Sequence, residues 1–102
     1  MTSFLLNNVR IFDGQNILET GSVLVKDGLI NQVSSDPKLS VPGVSSISKP
    51  GHTLLPGLID CHVHGDSANP TALPQSLRFG VTTVCDMHNE YPNIVMLRKQ
   101  IA

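Results

Sequence analysis

The arrangement of residues 57–102 constrains the fold of this chain more than any other feature. Two apolar segments, 58–64 and 81–85, lie on either side of a short segment, 71–79, whose composition favours a helix. Pro92 suits the first position of a second helix that runs towards Ala102, where its missing N–H costs nothing. Strands that alternate with helices are typical of βαβ units, because parallel strands need a crossover connection. The sequence therefore predicts an α/β architecture here.

The first of these predicted helices has recognisable ends. Thr71 is a suitable N-cap, since a threonine hydroxyl can accept a backbone N–H of the first turn. Pro74 is tolerated in that first turn, and Gly80 follows Phe79 as a stop signal. We found no comparable stop signal for the second helix.

Residues 1–56 have a different pattern, in which short strands are joined by tight turns. The segment from Phe4 to Phe12 is predicted to be a strand. The segment 22–33 is predicted to be a β-hairpin, because Asp27 and Gly28 both tolerate the positive φ angles of a type I′ turn.

A loop-rich stretch follows this predicted hairpin. Serine, proline and glycine dominate residues 34–50, a composition that favours a loop with one short strand from Val44 to Ile47. A further short strand is predicted from His52 to Leu55.

Composition and charge exclude several classes of function. The 102 residues include 7 Lys+Arg and 8 Asp+Glu, for a formal net charge of −1. Without a basic block, neither a nucleic acid nor a membrane surface is an expected partner. Cys61 and Cys85 form neither a CxxC pair nor a disulfide framework, which favours reduced thiols and a cytoplasmic protein. We expect both cysteines to be buried beneath helices as small hydrophobic residues.

The pair His62 and His64 is the clearest chemical signal. Side chains two residues apart on a strand point to the same face, so the two imidazoles should project together, with Asp60 beside them. Imidazole is a good ligand for Zn²⁺, Fe²⁺ and similar ions, and the pair would form half of a metal site. On the motif alone, two polar residues at a strand-to-loop junction remain an alternative.

Other polar residues near the predicted strand ends have simpler interpretations. Asp86 is interpreted as a residue that ends a strand or orients a ligand, and His88 as a loop histidine, although either could supply a substitute ligand. Asp66 is interpreted as a solvated loop carboxylate, and His52 as lying in the first part of the chain, far from any metal. Gly57 is predicted to allow a sharp turn between the two parts.

Three segments together resemble one known family. The sequence GHTLLPGLIDCHVHG at 51–65 resembles the first barrel strand of the amidohydrolase superfamily. Upstream, NVRIFDGQN and GSVLVKDGLINQV are similar to the small β-sandwich of that family. Downstream, SLRFGVTTVCDMHNE is similar to its first barrel helix and second strand. The likeness covers nearly the whole chain and is strongest to imidazolonepropionase-like and prolidase-like hydrolases.

The resemblance implies a fold class and a division into domains. It implies α/β, with the amino-terminal strands of a small β-sandwich followed by the first two β/α units of an incomplete (β/α)8 TIM-like barrel. Residues 1–56 would be the sandwich portion and residues 57–102 the truncated start of the barrel. A complete barrel needs eight strands and typically about 250 residues, so we expect the chain to be an amino-terminal piece.

The resemblance also implies an activity and a cofactor. The family hydrolyses carbon–nitrogen bonds other than ordinary peptide bonds, in small molecules such as cyclic amides or N-acyl amino acids, by attack of a metal-activated hydroxide. His62 and His64 match its metal ligands, for one or two divalent ions with zinc as the first candidate. The family's remaining ligands and its catalytic aspartate come from later strands, so no catalytic residue is assigned here. A full-length form could be a homo-oligomer.

Two alternatives remain open from the sequence. The chain could be a non-catalytic metal-binding or interaction module, because only two ligands are in view. It could also be an orphan fragment without activity, since two parallel strands leave an exposed edge and a small core. We expect no turnover by these 102 residues alone.

Overall fold

The computed structural model describes residues 3–101. The chain divides into two compact units, Met1–Pro56 and Gly57–Ala102, called here the amino-terminal unit and the carboxyl-terminal unit. No helix within the described range is long and apolar enough to cross a lipid bilayer. In chain order the elements are β1 (Phe4–Phe12), β2 (Ile17–Lys26), β3 (Leu29–Ser34), β4 (Ser45–Ser48), β5 (Thr53–Leu54), β6 (Leu58–Val63), α1 (Ala72–Arg78), β7 (Val81–Asp86) and α2 (Tyr91–Gln100).

A five-stranded sheet forms the amino-terminal unit. Its strand order is β3-β2-β1-β4, and β5 also pairs with β1. β2 runs antiparallel to both β1 and β3, whereas β4 and β5 run parallel to β1. The core lies mainly on β1 and β2, where Leu5, Val9 and Val23 are almost completely buried. Burial of these side chains supplies the main favourable free energy of this unit.

The predicted hairpin is confirmed. Asp27 and Gly28 have φ angles of 53° and 79°, as a type I′ turn requires. The preceding strand is longer than predicted, because β2 begins at Ile17 and pairs with β1 from its first residue. The polar residues Glu19 and Thr20 concealed this extension, since only the pairing with β1 reveals it.

The predicted strand–helix–strand–helix order of the carboxyl-terminal unit is also confirmed. β6 and β7 pair in parallel, with Leu58 opposite Val81, and α1 lies between them in the chain and packs on β7. α2 begins at Tyr91, one residue before the predicted start, so Pro92 lies in its first turn but is not its first residue. Leu97 of α2 is the buried hydrophobic residue of this unit's described part. The fold is therefore α/β, with mixed antiparallel and parallel pairing before Gly57 and parallel pairing after it.

The position predicted for Thr71 is confirmed, but the capping hydrogen bond predicted for its hydroxyl is wrong. Thr71 does occupy the N-cap of α1, but its side chain makes no capping hydrogen bond. Its backbone is in the helical region (φ −99°, ψ −12°), whereas a capping side chain needs an extended N-cap residue. The Thr71 hydroxyl instead donates to Asn69 Oδ1 at 2.8 Å.

The predicted burial of the two cysteines is also wrong. Cys61 and Cys85 are both free thiols and both are exposed. Two strands and two short helices cannot cover both faces of the β6–β7 pair, and Ile59, two residues before Cys61 on the same strand, is 63% exposed. The expected packing beneath helices is therefore not achieved within the described part of the unit.

The position of Gly57 is constrained by close packing, and its predicted role in a sharp turn stays a prediction. Its φ angle is not among the positive values found in this chain, so no special backbone conformation requires glycine there. A Cβ at this position would instead lie 2.7 Å from Thr82 Cβ, a distance that carbon atoms do not tolerate. The glycine is needed because the start of β6 approaches the side chains of β7 closely.

Candidate functional site

The two histidines singled out by the sequence lie close together at the end of β6. His62 is on the strand, and His64 follows directly after its last residue, Val63. Their ring centroids are 5.2 Å apart, with the ring planes at 70°. Both side chains are exposed, so a ligand could reach the imidazole nitrogens.

This spacing suits two imidazoles that share one metal ion. With Zn–N bonds of about 2.1 Å and a tetrahedral angle, two bound imidazole rings have centroids roughly 5 Å apart. Neutral imidazole nitrogens are also chemically suitable donors for zinc and for iron. The pair therefore fits as two ligands of a tetrahedral site.

The described residues do not supply a complete set of ligands. Within residues 3–101, no three His, Cys, Asp or Glu side chains form a group that could hold a metal ion. Asp60 lies beside the pair, but its carboxylate accepts the backbone N–H of His62 at 3.0 Å. Neither Asp86 nor His88 completes a cluster with the two histidines.

Asp86 ends β7, in agreement with one part of its interpretation. Its Oδ1 accepts the backbone N–H of Gly65 at 3.1 Å, and its Oδ2 accepts the side-chain amide of Asn89. The hydrogen bond from Asn89 is the largest cause that lowers the pKa of Asp86, followed by the one from Gly65 and by the nearby His64 imidazole. The carboxylate is therefore held in its charged form close to His64.

Two asparagines hold the loop after β6, and the sequence interpretation did not assign them a role. Asn89 Nδ2 and Asn93 Nδ2 both donate to the carbonyl oxygen of Gly65, at 2.9 and 2.8 Å. Asn93 Oδ1 also accepts the backbone N–H of Ser67 at 2.7 Å. A possible signal was the clustering of short polar side chains just before and within the first turn of α2.

The remaining candidate residues are His52, Asp66 and His88. His52 belongs to the amino-terminal unit, where its carbonyl accepts the backbone N–H of Arg10 at 3.0 Å. Asp66 is exposed and its Oδ1 accepts the Ala68 N–H at 2.8 Å, as expected of a solvated loop carboxylate. His88 is an exposed loop residue with a positive φ of 57°.

Comparison with known proteins places the chain in a family. No family model matches it. It is 37% identical over 94 residues to a dihydroorotase from Desulforapulum autotrophicum, a match that covers 81% of this chain and 21% of that protein. It is 38% identical over 63 residues to an imidazolonepropionase from Mesorhizobium japonicum, covering 55% of this chain and 15% of that protein. The chain belongs to the amidohydrolase superfamily.

The structural comparison agrees with this assignment. The amidohydrolase chain superposes on the crystal structure of a candidate prolidase from Bifidobacterium longum with a TM-score of 0.79 and 29% identity. The superposition covers 98% of this chain and 27% of that one. The family predicted from the motifs at 51–65 and 76–90 is therefore confirmed.

The amidohydrolase chain corresponds to the amino-terminal portion of its relatives. It spans about a fifth of the length of the dihydroorotases it matches. Its two parallel strands, β6 and β7, are in accord with an α/β fold, but they do not by themselves constitute a barrel.

Proposed function

We propose that this chain is the amino-terminal part of a metal-dependent hydrolase that cleaves carbon–nitrogen bonds other than ordinary peptide bonds. The proposed substrates are small amide-type molecules, such as cyclic amides or N-acyl amino acids. The proposed fold of the complete protein is a small β-sandwich, to which residues 1–56 contribute, followed by a (β/α)8 barrel that begins at residue 57. A cytoplasmic location is proposed because Cys61 and Cys85 are free thiols.

The observation that carries the proposal is the proximity of His62 and His64. Their 5.2 Å centroid separation and common position at the carboxyl end of a parallel strand suit two ligands of one divalent ion, with zinc as the first candidate. In barrel enzymes, the residues that carry chemistry lie at the carboxyl ends of the strands. Membership of the amidohydrolase superfamily supports the reaction class.

The chain's own residues have distinct proposed tasks. When bound, a divalent ion would polarise the substrate carbonyl and activate water. His62 and His64 would hold that ion through one nitrogen each, and both must be neutral to do so. The carboxylate of Asp86, which is held in its charged form near His64, would attract a cation bound there.

Zinc titration of histidine variants tests the metal assignment. The chain contains 4 histidines, so His52→Ala and His88→Ala serve as matched controls for His62→Ala and His64→Ala. We expect zinc affinity, measured by competition with a chromogenic chelator, to fall strongly in the two site variants and to stay unchanged in the controls. An equal loss in His88→Ala, or unchanged affinity in His62→Ala, would contradict the assignment.

Hydrolysis by the protein purified from its natural source tests the reaction. We expect zinc-dependent ring opening of cyclic amides or release of the amino acid from N-acyl amino acids, and its loss after removal of metal with a chelator. Tight zinc binding without turnover of these substrates would favour the alternative, a non-catalytic metal-binding module.

A further inference from the structure

We propose that Asp86, Asn89 and Asn93 are positioning residues that fix the backbone of His64 in the place needed for metal binding. We call these three side chains the Gly65 network, because they hold both polar backbone groups of Gly65. The inference rests on the proposed function, since it concerns the same pair of histidines.

The Gly65 network binds one peptide segment from both sides. Asp86 Oδ1 accepts the Gly65 N–H at 3.1 Å, while the amide groups of Asn89 and Asn93 donate to the Gly65 carbonyl at 2.9 and 2.8 Å. Gly65 directly follows His64, so these bonds fix the chain at the residue next to the proposed ligand.

Every side-chain N–H group of the two asparagines in the Gly65 network donates a hydrogen bond. Asn93 Nδ2 donates to Asn89 Oδ1 at 2.6 Å as well as to Gly65, and Asn89 Nδ2 donates to Asp86 Oδ2 as well as to Gly65. Both amides therefore employ both of their N–H groups. Such part-buried chains of hydrogen bonds strengthen one another and favour a single arrangement.

Close packing around Gly65 leaves no room for a side chain at this position. A Cβ on Gly65 would lie 2.8 Å from Leu97 Cδ1 and 3.2 Å from Asp86 Oδ2. Leu97 is buried in α2, so it cannot move aside freely. The backbone at Gly65 is thus held by packing as well as by hydrogen bonds.

The consequence for His64 follows from the bonds on both sides of it. The carbonyl of Val63, before His64, accepts the N–H of Met87 at 2.9 Å, and the N–H of Gly65, after it, donates to Asp86. The His64 backbone is therefore tied to the end of β7 at both neighbouring peptides. A metal site needs its ligands held to within about 0.5 Å, and this attachment limits His64 to side-chain rotation alone.

Zinc affinity of Asn93→Ala tests the proposal. We expect a fall of about 10- to 100-fold, as is typical when a residue that orients a metal ligand is removed. Asn69→Ala is the matched control, because Asn69 Oδ1 accepts hydrogen bonds from the backbone and hydroxyl of Thr71 in the same unit and makes none to Gly65. Asn89→Ala is a second variant, which removes the other amide bond to the Gly65 carbonyl and the bond to Asp86.

A double-mutant cycle separates positioning from general stability. If Asn93 acts through His64, Asn93→Ala should have no further effect on zinc affinity in a His64→Ala background. A purely structural role would weaken binding equally in both backgrounds and would overturn the proposal. Circular dichroism on each variant verifies that it is folded before titration.

The same titrations distinguish two kinds of failure. Unchanged affinity in His62→Ala and His64→Ala would refute the proposed metal function itself. Loss of affinity in those variants, together with wild-type affinity in folded Asn93→Ala and Asn89→Ala, would refute only the role of the Gly65 network.

Discussion

The side chain of Thr82 occupies the space that a Cβ on Gly57 would need. Such an atom would lie 2.7 Å from Thr82 Cβ, and the adjoining Leu58 N–H donates to the carbonyl of Gly80 at 2.8 Å. The first residues of β6 and β7 are therefore in close contact at both backbone and side-chain level. This contact is local to the carboxyl-terminal unit and sets where the parallel pair begins.

Replacement of Gly57 by alanine should destabilise the carboxyl-terminal unit by about 1–3 kcal/mol, because the added methyl group forces the strands apart. The effect can be measured by urea unfolding, followed through the amide resonances of β6 and β7. The double variant Gly57→Ala/Thr82→Gly, compared with Thr82→Gly alone, should show little of this loss, because it removes the Cβ of residue 82 together with the rest of the side chain. Equal stability of Gly57→Ala and wild type would contradict the close approach.

Replacement of Gly28 by alanine should cost about 1–2 kcal/mol for a different reason, since an L-residue is strained in the left-handed region. Gly28 has a φ of 79°, and a Cβ there would meet no atom within 4 Å. Asp27→Asn should be nearly neutral, because asparagine also tolerates positive φ. Thermal unfolding of the two variants provides the comparison, and a stable Gly28→Ala would show that the turn can change type.

Replacement of Ser22 by alanine should lower the free energy of unfolding by about 1–3 kcal/mol, the cost of leaving a partly buried acceptor unpaired. Ser22 is fully buried, and its hydroxyl donates to the carbonyl of Asp36 at 2.6 Å. The control is Ser46→Ala on exposed β4, where a change within about 0.5 kcal/mol is expected. A similar result for both serines in denaturant unfolding would rule out a structural role for the hydroxyl of Ser22.

Asp13 should make stability depend on pH in the acid range. Its carboxylate accepts the backbone N–H groups of Asn16 and Gln15 at 2.7 and 2.9 Å, and these bonds lower its pKa. Because the folded pKa lies below the unfolded one, the stabilisation is fully present above about pH 4 and is lost as pH falls through the folded pKa.

Carbon-detected NMR titration of the Asp13 carboxyl group checks this expectation. The folded protein should titrate at lower pH than the urea-unfolded chain, and Asp13→Asn should lack the corresponding acid-dependent loss of stability. A carboxyl group that titrates at the same pH in both states would show that the two backbone bonds do not form in solution.

Local sequence signals predicted most of the secondary structure. The bounds predicted for β1 agree with the structure, and Asp27-Gly28 adopts the expected turn, because both depend on neighbouring residues alone. The alternation of strands and helices after Gly57 is likewise confirmed. The sandwich assignment of residues 1–56, the barrel assignment of residues 57–102 and the metal role of His62 and His64 remain predictions.

The errors concern properties that depend on distant residues. Cys61 and Cys85 were expected to be buried, but burial depends on which elements cover a strand, and no local pattern reports that. Thr71 has a suitable side chain for capping but the wrong backbone conformation. The hydrogen bond from Asn93 to Gly65 was not predicted, because it joins residues 28 positions apart.

The sequence by itself determined the turn chemistry at Asp27-Gly28, the order of strands and helices, and the placement of His62 and His64 two residues apart at the end of a strand. These features follow from backbone preferences and side-chain periodicity, which act over a few residues. Only the tertiary structure decided that Gly57 must be small because of Thr82 and that Asp86, Asn89 and Asn93 converge on Gly65. Close approach and hydrogen bonding between β6, β7 and α2 depend on how these elements pack, which a linear pattern does not specify.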